Sequence, residues 1–313
     1  MMSKTIHPIS DADHTAMMAT REFLKGLPAI ELTPDGRSLF DAMMSQVPPA
    51  SGVDYKQDRV GGISGWWCYP QHGLPDAVIL YLHGGGYVVG SADAYRHAAG
   101  QIAAAAGVVT FIAEYSLAPE QPFPAAFDDA VAAYDGLVRQ GFKHIAVVGD
   151  SAGGGLALAV VAFVNKQSAL KPAAAAAMSP WLDMTASGQS FDTRAGADPL
   201  LDQKKMRDAA TLYLADAEAT NPHASPLFGN LLNLPPTLIH VGEDEVLLDD
   251  SVRYTDLAEQ AGSHVELHIW VGMLHVFIYS IAMLEAARAA LKHTGDFLAM
   301  HLDTEGIKYP SNP

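Results

Sequence analysis

The stretch that most constrains this chain is Ile145-Ala146-Val147-Val148-Gly149-Asp150-Ser151-Ala152-Gly153-Gly154, followed by the apolar run from Leu156 to Val164. An apolar segment of strand length passes into a longer Ala- and Val-rich segment of helix length, so the chain must turn sharply between them. Gly149 and Gly153 stand two before and two after Ser151, where any side chain would collide with the neighbouring strand or helix. Gly-x-Ser-x-Gly between a strand and a helix is the setting of a nucleophile elbow. Such an elbow holds a serine exposed at the carboxyl end of a strand and at the positive end of a helix dipole. A plain Gly-rich connection is the bland alternative, and the rest of the chain has to decide.

A regular alternation surrounds this stretch. Runs of strand type fall at residues 53–60, 65–69, 77–82, 108–113, 145–148, 174–178, 237–241 and 265–271, with helical patterns at 95–106, 124–139 and 154–165. The first two runs are placed to pair as a hairpin, and the third is apolar throughout, as a strand buried on both faces should be. The order predicts an α/β protein with a mainly parallel, eight-stranded sheet flanked by helices.

Two intervals break the alternation. Residues 1–50 read as helical and amphipathic, with Met17, Met18, Phe23, Leu24, Leu39, Phe40, Met43 and Met44 on apolar faces. Breaks are expected at Pro28, Pro34 and Pro48-Pro49, and nothing in this segment looks like part of a sheet. Between Trp181 and Pro235 the chain has no strand pattern and one helix pattern, at 203–214. An excursion of that length is usually a lid. The expected organisation is a helical cap built from 1–50 and an insert at 183–225, over a core formed by 51–182 and 226–313. The tail after Thr304 is expected to fray.

Charge and cysteine content narrow the function classes. Thirty-five acidic against 19 basic residues give a formal charge of −16, which repels phosphate backbones and anionic lipid. Neither nucleic acid nor a membrane is an expected partner; a small uncharged substrate is, and a homodimer is compatible. The apolar stretches at 156–164 and 173–178 are too short to cross a bilayer, and Met1 to Pro8 lacks the apolar centre of a secretory signal. A soluble cytoplasmic protein is the expectation. Cys68 is the one cysteine, so internal disulfides and Cys-based zinc clusters are excluded.

A serine hydroxyl needs a base for its proton, and the base needs a carboxylate to hold its tautomer. Among the 13 histidines, His275 has the right address, in Gly272-Met273-Leu274-His275 just past the last strand run. His240, His264 and His268 lie in or at the edge of strands, while His7, His14, His72, His144, His293 and His301 read as surface or terminal. The acid is sought in Gly242-Glu243-Asp244-Glu245-Val246-Leu247-Leu248-Asp249-Asp250, where composition leaves Asp244 and Glu245 both open. Asp249 or Asp250 reads as a cap for the helix that follows. Backbone donors for a developing oxyanion are offered by His83-Gly84-Gly85-Gly86-Tyr87 and by the Ala152 N–H. A rival reading takes Gly84, Gly86 and Gly90 as a dinucleotide loop, with Glu114 as ribose acid. Against it stand the unusual glycine spacing, the lack of a Tyr-x-x-x-Lys pair, and the idleness it would impose on Ser151 and His275.

The two glycine motifs, with an acid after the next-to-last strand and Gly-Met-Leu-His275, resemble the bacterial hormone-sensitive lipase-like esterases of the α/β-hydrolase fold. Ala118-Pro119-Glu120, Ser179-Pro180-Trp181 and Ser225-Pro226-Leu227 extend the likeness, which runs from about Val53 to Met300. The resemblance implies Ser151 as nucleophile, His275 as base and Gly85, Gly86 and Ala152 as oxyanion donors. His83, Gly84 and Asp150 would be supporting residues, His83 bracing the loop without proton transfer. No cofactor and no metal are implied. The family's acid stands first in Asp-Pro-Leu-x-Asp. Asp198-Pro199-Leu200-Leu201-Asp202 fits by letter but precedes the strand the acid must follow, so Asp198 or Asp202 is read as a helix cap. Glu245-Val246-Leu247-Leu248-Asp249 fits in register, which favours Glu245 with Asp244 as the alternative. Ser116 stands where the family usually has arginine, so local pairing there is expected to differ. The implied activity is carboxylic ester hydrolysis on short to medium acyl esters. Lactone hydrolysis, acyl transfer and a non-catalytic small-molecule receptor are the alternatives.

Overall fold

The computed structural model describes residues 4–26 and 31–303; the expected break at Pro28 and the tail after Thr304 lie outside the described residues. Strand β1 (Lys4–His7) leads into helices α1 (Asp11–Lys25) and α2 (Arg37–Met44). Then come β2 (Val53–Val60), β3 (Ile63–Pro70), β4 (Ala77–Leu82), α3 (Ala92–Ala106), β5 (Thr110–Ala113), α4 (Ala125–Arg139), β6 (His144–Asp150), α5 (Ser151–Gln167) and β7 (Ala174–Met178). The long interval holds α6 (Ser190–Thr193) and α7 (Gln203–Leu214), and the chain finishes with β8 (Thr237–Gly242), α8 (Leu248–Gln260), β9 (Val265–Trp270) and α9 (Glu285–Leu302).

The strands form one sheet in the order β1-β9-β8-β7-β6-β4-β5-β3-β2. The pairings β2 with β3 and β3 with β5 are antiparallel and the others parallel. The sheet thus has nine strands rather than the eight expected, and the extra one lies in the segment that did not look like sheet. Four residues, Lys-Thr-Ile-His, carry no readable period. They become a strand because β9 offers them a parallel partner, with Thr5 opposite His268 and His7 opposite Trp270. As an edge strand β1 keeps one side open, and Ile6 is 67% exposed.

Strands buried on both faces feed two apolar layers. Val78, Leu80 and Leu82 of β4 join α4, α5 and α8 on one side, while Ala77, Ile79 and Tyr81 join α3 and α9 on the other. β7 reads Ala-Ala-Ala-Ala-Met, poor in intrinsic strand preference, yet each of its residues is buried. Small side chains let the flanking helices approach the middle of the sheet, and packing overrides propensity.

Local caps decide several helix starts. Ser10 accepts from Asp13 N ahead of α1, Ser91 from Ala94 N ahead of α3, and Asp202 from Lys205 N ahead of α7. Asp249 and Asp250 do not cap α8, whose N-cap position is Leu247. They face the interval after β7 instead: Asp250 accepts from the N–H of Leu182 and Asp183, and Asp249 from that of Ser190.

The segments outside the alternation gather at the carboxyl ends of the strands. Arg21 of α1 pairs with Asp244 at 2.5 Å and also donates to the carbonyl of Ala197. Arg37 of α2 donates to the carbonyls of Val88 and Ala118 and makes a two-pronged pair with Glu120. These anchor points follow β4, β5 and β8.

Candidate active site

β6 passes into α5 with no residue between them: Asp150 ends the strand and Ser151 begins the helix. Ser151 takes φ +50, a left-handed conformation that strains any residue with a side chain and turns its hydroxyl out of the bend. The flanking glycines are compelled by space. A Cβ at Gly149 would lie 2.2 Å from the Gly153 carbonyl, and one at Gly153 would lie 2.1 Å from the carbonyl of Leu82. Ser151 is 9% exposed.

The loop after β9 brings His275 to this serine. Its Nε2 lies 2.9 Å from Ser151 Oγ and its Nδ1 2.7 Å from Glu245 Oε2, so the three side chains form one hydrogen-bonded line. Glu245 is fully buried, and its second oxygen accepts from the Ser179 hydroxyl at 2.7 Å and the Gly242 N–H at 2.5 Å. Burial pulls the His275 pKa down, but the hydrogen bond and charge of Glu245, with Asp198 and Asp150 adding, outweigh it, and the net direction is up. Asp244 lies elsewhere, paired with Arg21 and one-quarter exposed. Of the two acids left open, Glu245 is the one against His275.

The glycine loop sits on the other side of the elbow. Gly85 and Gly86 adopt φ +121 and +61, conformations costly for other residues. Among the described residues neither N–H has an acceptor, while the Gly85 carbonyl accepts from Val88 and Val89. Gly84 N–H donates to Asp150, the residue before the serine, so loop and elbow are tied directly. Asp150 also accepts from the hydroxyls of Tyr81 at 2.7 Å and Tyr95 at 3.2 Å. Burial pushes its pKa up to about 6 in spite of these donors. His83 is fully buried, stacks on Tyr115 and bonds the Gly84 carbonyl through Nδ1, and burial pulls its pKa down to about 4. A ring so placed stays neutral and braces the loop. Ala152, one past the serine, lies in the first turn of α5.

The structure also places other residues singled out in the sequence. Asp202 caps α7, but Asp198 does not: it accepts from Leu200 N, Leu201 N and Val246 N, and so braces the loop that carries Glu245. Glu114 accepts from Ala92 N at the start of α3, a structural duty that leaves the dinucleotide reading without its acid. Ser116 bonds Asp129 of α4 through hydroxyl and backbone. Ser179 had no assigned role, yet its hydroxyl donates to Glu245 and accepts from Val276 N, joining the acid to the residue after His275. Its place at the end of β7, in Ser179-Pro180-Trp181, is the signal that pointed to it.

With this geometry in place, the chain can be set beside known proteins. Residues 79–279 match the family model described as the α/β hydrolase fold. An acetyl-hydrolase of Streptomyces hygroscopicus is 40% identical over 264 residues, 84% of this chain and 86% of that protein. Among solved structures, EstE5 soaked by p-nitrophenyl butyrate is 40% identical with TM-score 0.84, covering 91% of this chain and 98% of that one. An esterase from the bacterial hormone-sensitive lipase family is 37% identical with TM-score 0.87, covering 94% and 99%. Family model, relatives and fold agree, and this chain belongs to the hormone-sensitive lipase-like esterases of the α/β-hydrolase fold.

Proposed function

We propose that the protein hydrolyses short to medium acyl carboxylic esters through an acyl-enzyme on Ser151. One observation carries this: the line Ser151 Oγ, His275 Nε2, His275 Nδ1, Glu245 Oε2 is closed by bonds of 2.9 and 2.7 Å, with Glu245 sealed from water. His275 takes the serine proton as Oγ attacks the ester carbonyl, and Glu245 balances the imidazolium that forms. The N–H groups of Gly85, Gly86 and Ala152 receive the oxyanion, the alcohol leaves with the proton from His275, and water repeats the cycle on the acyl-enzyme.

Residues 1–50 and 183–225 act as the cap in this reading, with the core at 51–182 and 226–313, except that β1 belongs to the sheet. Leu32 and Ala209, one from each cap part, both lie against Gly86 and would bound a modest acyl site. The similarity to an acetyl-hydrolase and to EstE5, soaked by p-nitrophenyl butyrate, supports a short acyl group. The test is a fluorophosphonate label with p-nitrophenyl esters of graded chain length. Labelling at Ser151, lost in Ser151→Ala, and a maximum at short chains are expected. Folded protein that neither labels nor turns over any ester would overturn the proposal.

A further inference from the structure

Three histidines outside the active site converge on one point. His240 of β8 and His268 of β9 are register neighbours, and His293 of α9 packs across them. Each offers a ring nitrogen, and these atoms all lie within 4.8 Å of one another. His240 is 1% exposed, and both its Nε2 and the Nδ1 of His293 are buried with no hydrogen-bond partner among the described residues. The Nδ1 of His268 is bonded to His7 Nε2 at 2.7 Å, and its Nε2 has no hydrogen bond among the described residues. Buried ring nitrogens without partners are costly, and the triad uses none of these three rings.

We infer that His240, His268 and His293 form a site for one divalent ion of the zinc, copper, nickel or cobalt class. Three imidazole nitrogens suit such metals, whereas magnesium and calcium want oxygen. The centre of a triangle with 4.8 Å edges lies ~2.8 Å from each corner, so each ring closes by at most ~0.7 Å to reach a normal Zn–N distance. Side-chain rotation supplies that. His7 is the outer partner: with His268 Nδ1–H donating to it, the His268 tautomer is the one that ligates through Nε2. Burial first, and the neighbouring histidines second, pull the His268 pKa down to about 4 and that of His240 well below its ordinary value, so neutral rings are available as ligands.

One contact opposes the ion and makes the inference testable. The Trp270 indole N–H donates to His240 Nδ1 at 3.0 Å, which puts the proton of the neutral ring on Nε2. Ligation moves that proton to Nδ1 and leaves Trp270 without its acceptor. The buried indole N–H then has no acceptor and faces a second donor, which costs roughly 5–150-fold in affinity and is still small beside what three metal–imidazole bonds supply.

The experiment uses tag-free full-length protein stripped by chelator and titrated with Co²⁺, read by visible d–d absorption and melting temperature, with Zn²⁺ as competitor. One equivalent with a tetrahedral spectrum, displaced by Zn²⁺, and a raised melting temperature are expected. His293→Gln and His268→Gln should each weaken binding by more than about 100-fold, beyond the cost of losing an outer partner. His223→Gln, outside the cluster, should not change it. Trp270→Phe should tighten binding at least roughly fivefold, since the competing donor is gone. A weak octahedral spectrum, no thermal shift, or affinity that ignores His293→Gln and His268→Gln would overturn the site.

Discussion

Replacing Glu245 by glutamine perturbs one charge and little volume, and the surroundings dictate which way the new amide points. The Oε1 position is occupied by two donors, the Ser179 hydroxyl and the Gly242 N–H. Only the amide oxygen can sit there, so the NH₂ is forced to the Oε2 position, facing His275 Nδ1. A donor at Nδ1 selects the tautomer protonated on Nε2, which cannot take the Ser151 proton. Loss of the right tautomer in a triad costs about 10⁴-fold in kcat, or ~5.4 kcal/mol of transition-state stabilisation. The acid limb should move as well. Activity needs neutral His275, so the rate rises with pH through its pKa, which Glu245 holds above the ordinary value against burial. Without the carboxylate burial prevails, the pKa falls, and the limb of the residual activity shifts to lower pH. Initial rates on p-nitrophenyl butyrate from acid to neutral pH measure both effects. Asp244→Asn is the control: it breaks a part-exposed ion pair worth at most about 1 kcal/mol, so its kcat/KM stays within roughly fivefold. If Glu245→Gln kept activity within tenfold, or Asp244→Asn were the inactive variant, the assignment of the acid would be refuted.

Other perturbations test other parts of the molecule. Ser179→Ala removes the hydroxyl shared by Glu245 and Val276 N, and kcat should fall roughly 10–100-fold with KM little changed and the acid limb displaced. Gly153→Ala places a Cβ 2.1 Å from the Leu82 carbonyl, and a loss of about 3 kcal/mol or more is expected in urea unfolding, against near-neutrality at the solvent-open Gly196. Burial holds His7, His240 and His268 below the usual histidine pKa, so the unfolded chain binds protons first on acidification. In metal-free protein this histidine contribution to stability is complete above about pH 6.5 and is lost as pH falls toward about 4, and His268→Gln should flatten the decline in urea midpoints over that window.

Much of the site was legible because its parts are local. The elbow needs glycines at fixed offsets from Ser151, and the loop proposed to hold the oxyanion needs bare backbone after a strand, so both leave marks on neighbouring letters. His275 was singled out from its address past the last strand, and it lies against Ser151 in the structure. Glu245 and Asp244 are adjacent, and the choice between them turned on which way one bend faces; register with the family's acid favoured Glu245, and Ser179 and Gly242 N–H hold it there. Of the two residues read as the α7 cap, Asp202 takes that role, while the further bond of Asp198, to Val246 N 48 residues away, leaves no mark on neighbouring letters.

By itself the sequence determined the α/β alternation, the turn at Ser151 and the short list of groups able to act with it, since strand and helix periods and tight turns are enforced by near neighbours. Only the tertiary structure decided that Lys4–His7 is a ninth strand, that Ser179 joins acid to base, and that His240, His268 and His293 meet. Each of these depends on residues far apart in the chain being packed to within a few ångströms, and no local pattern records such a meeting.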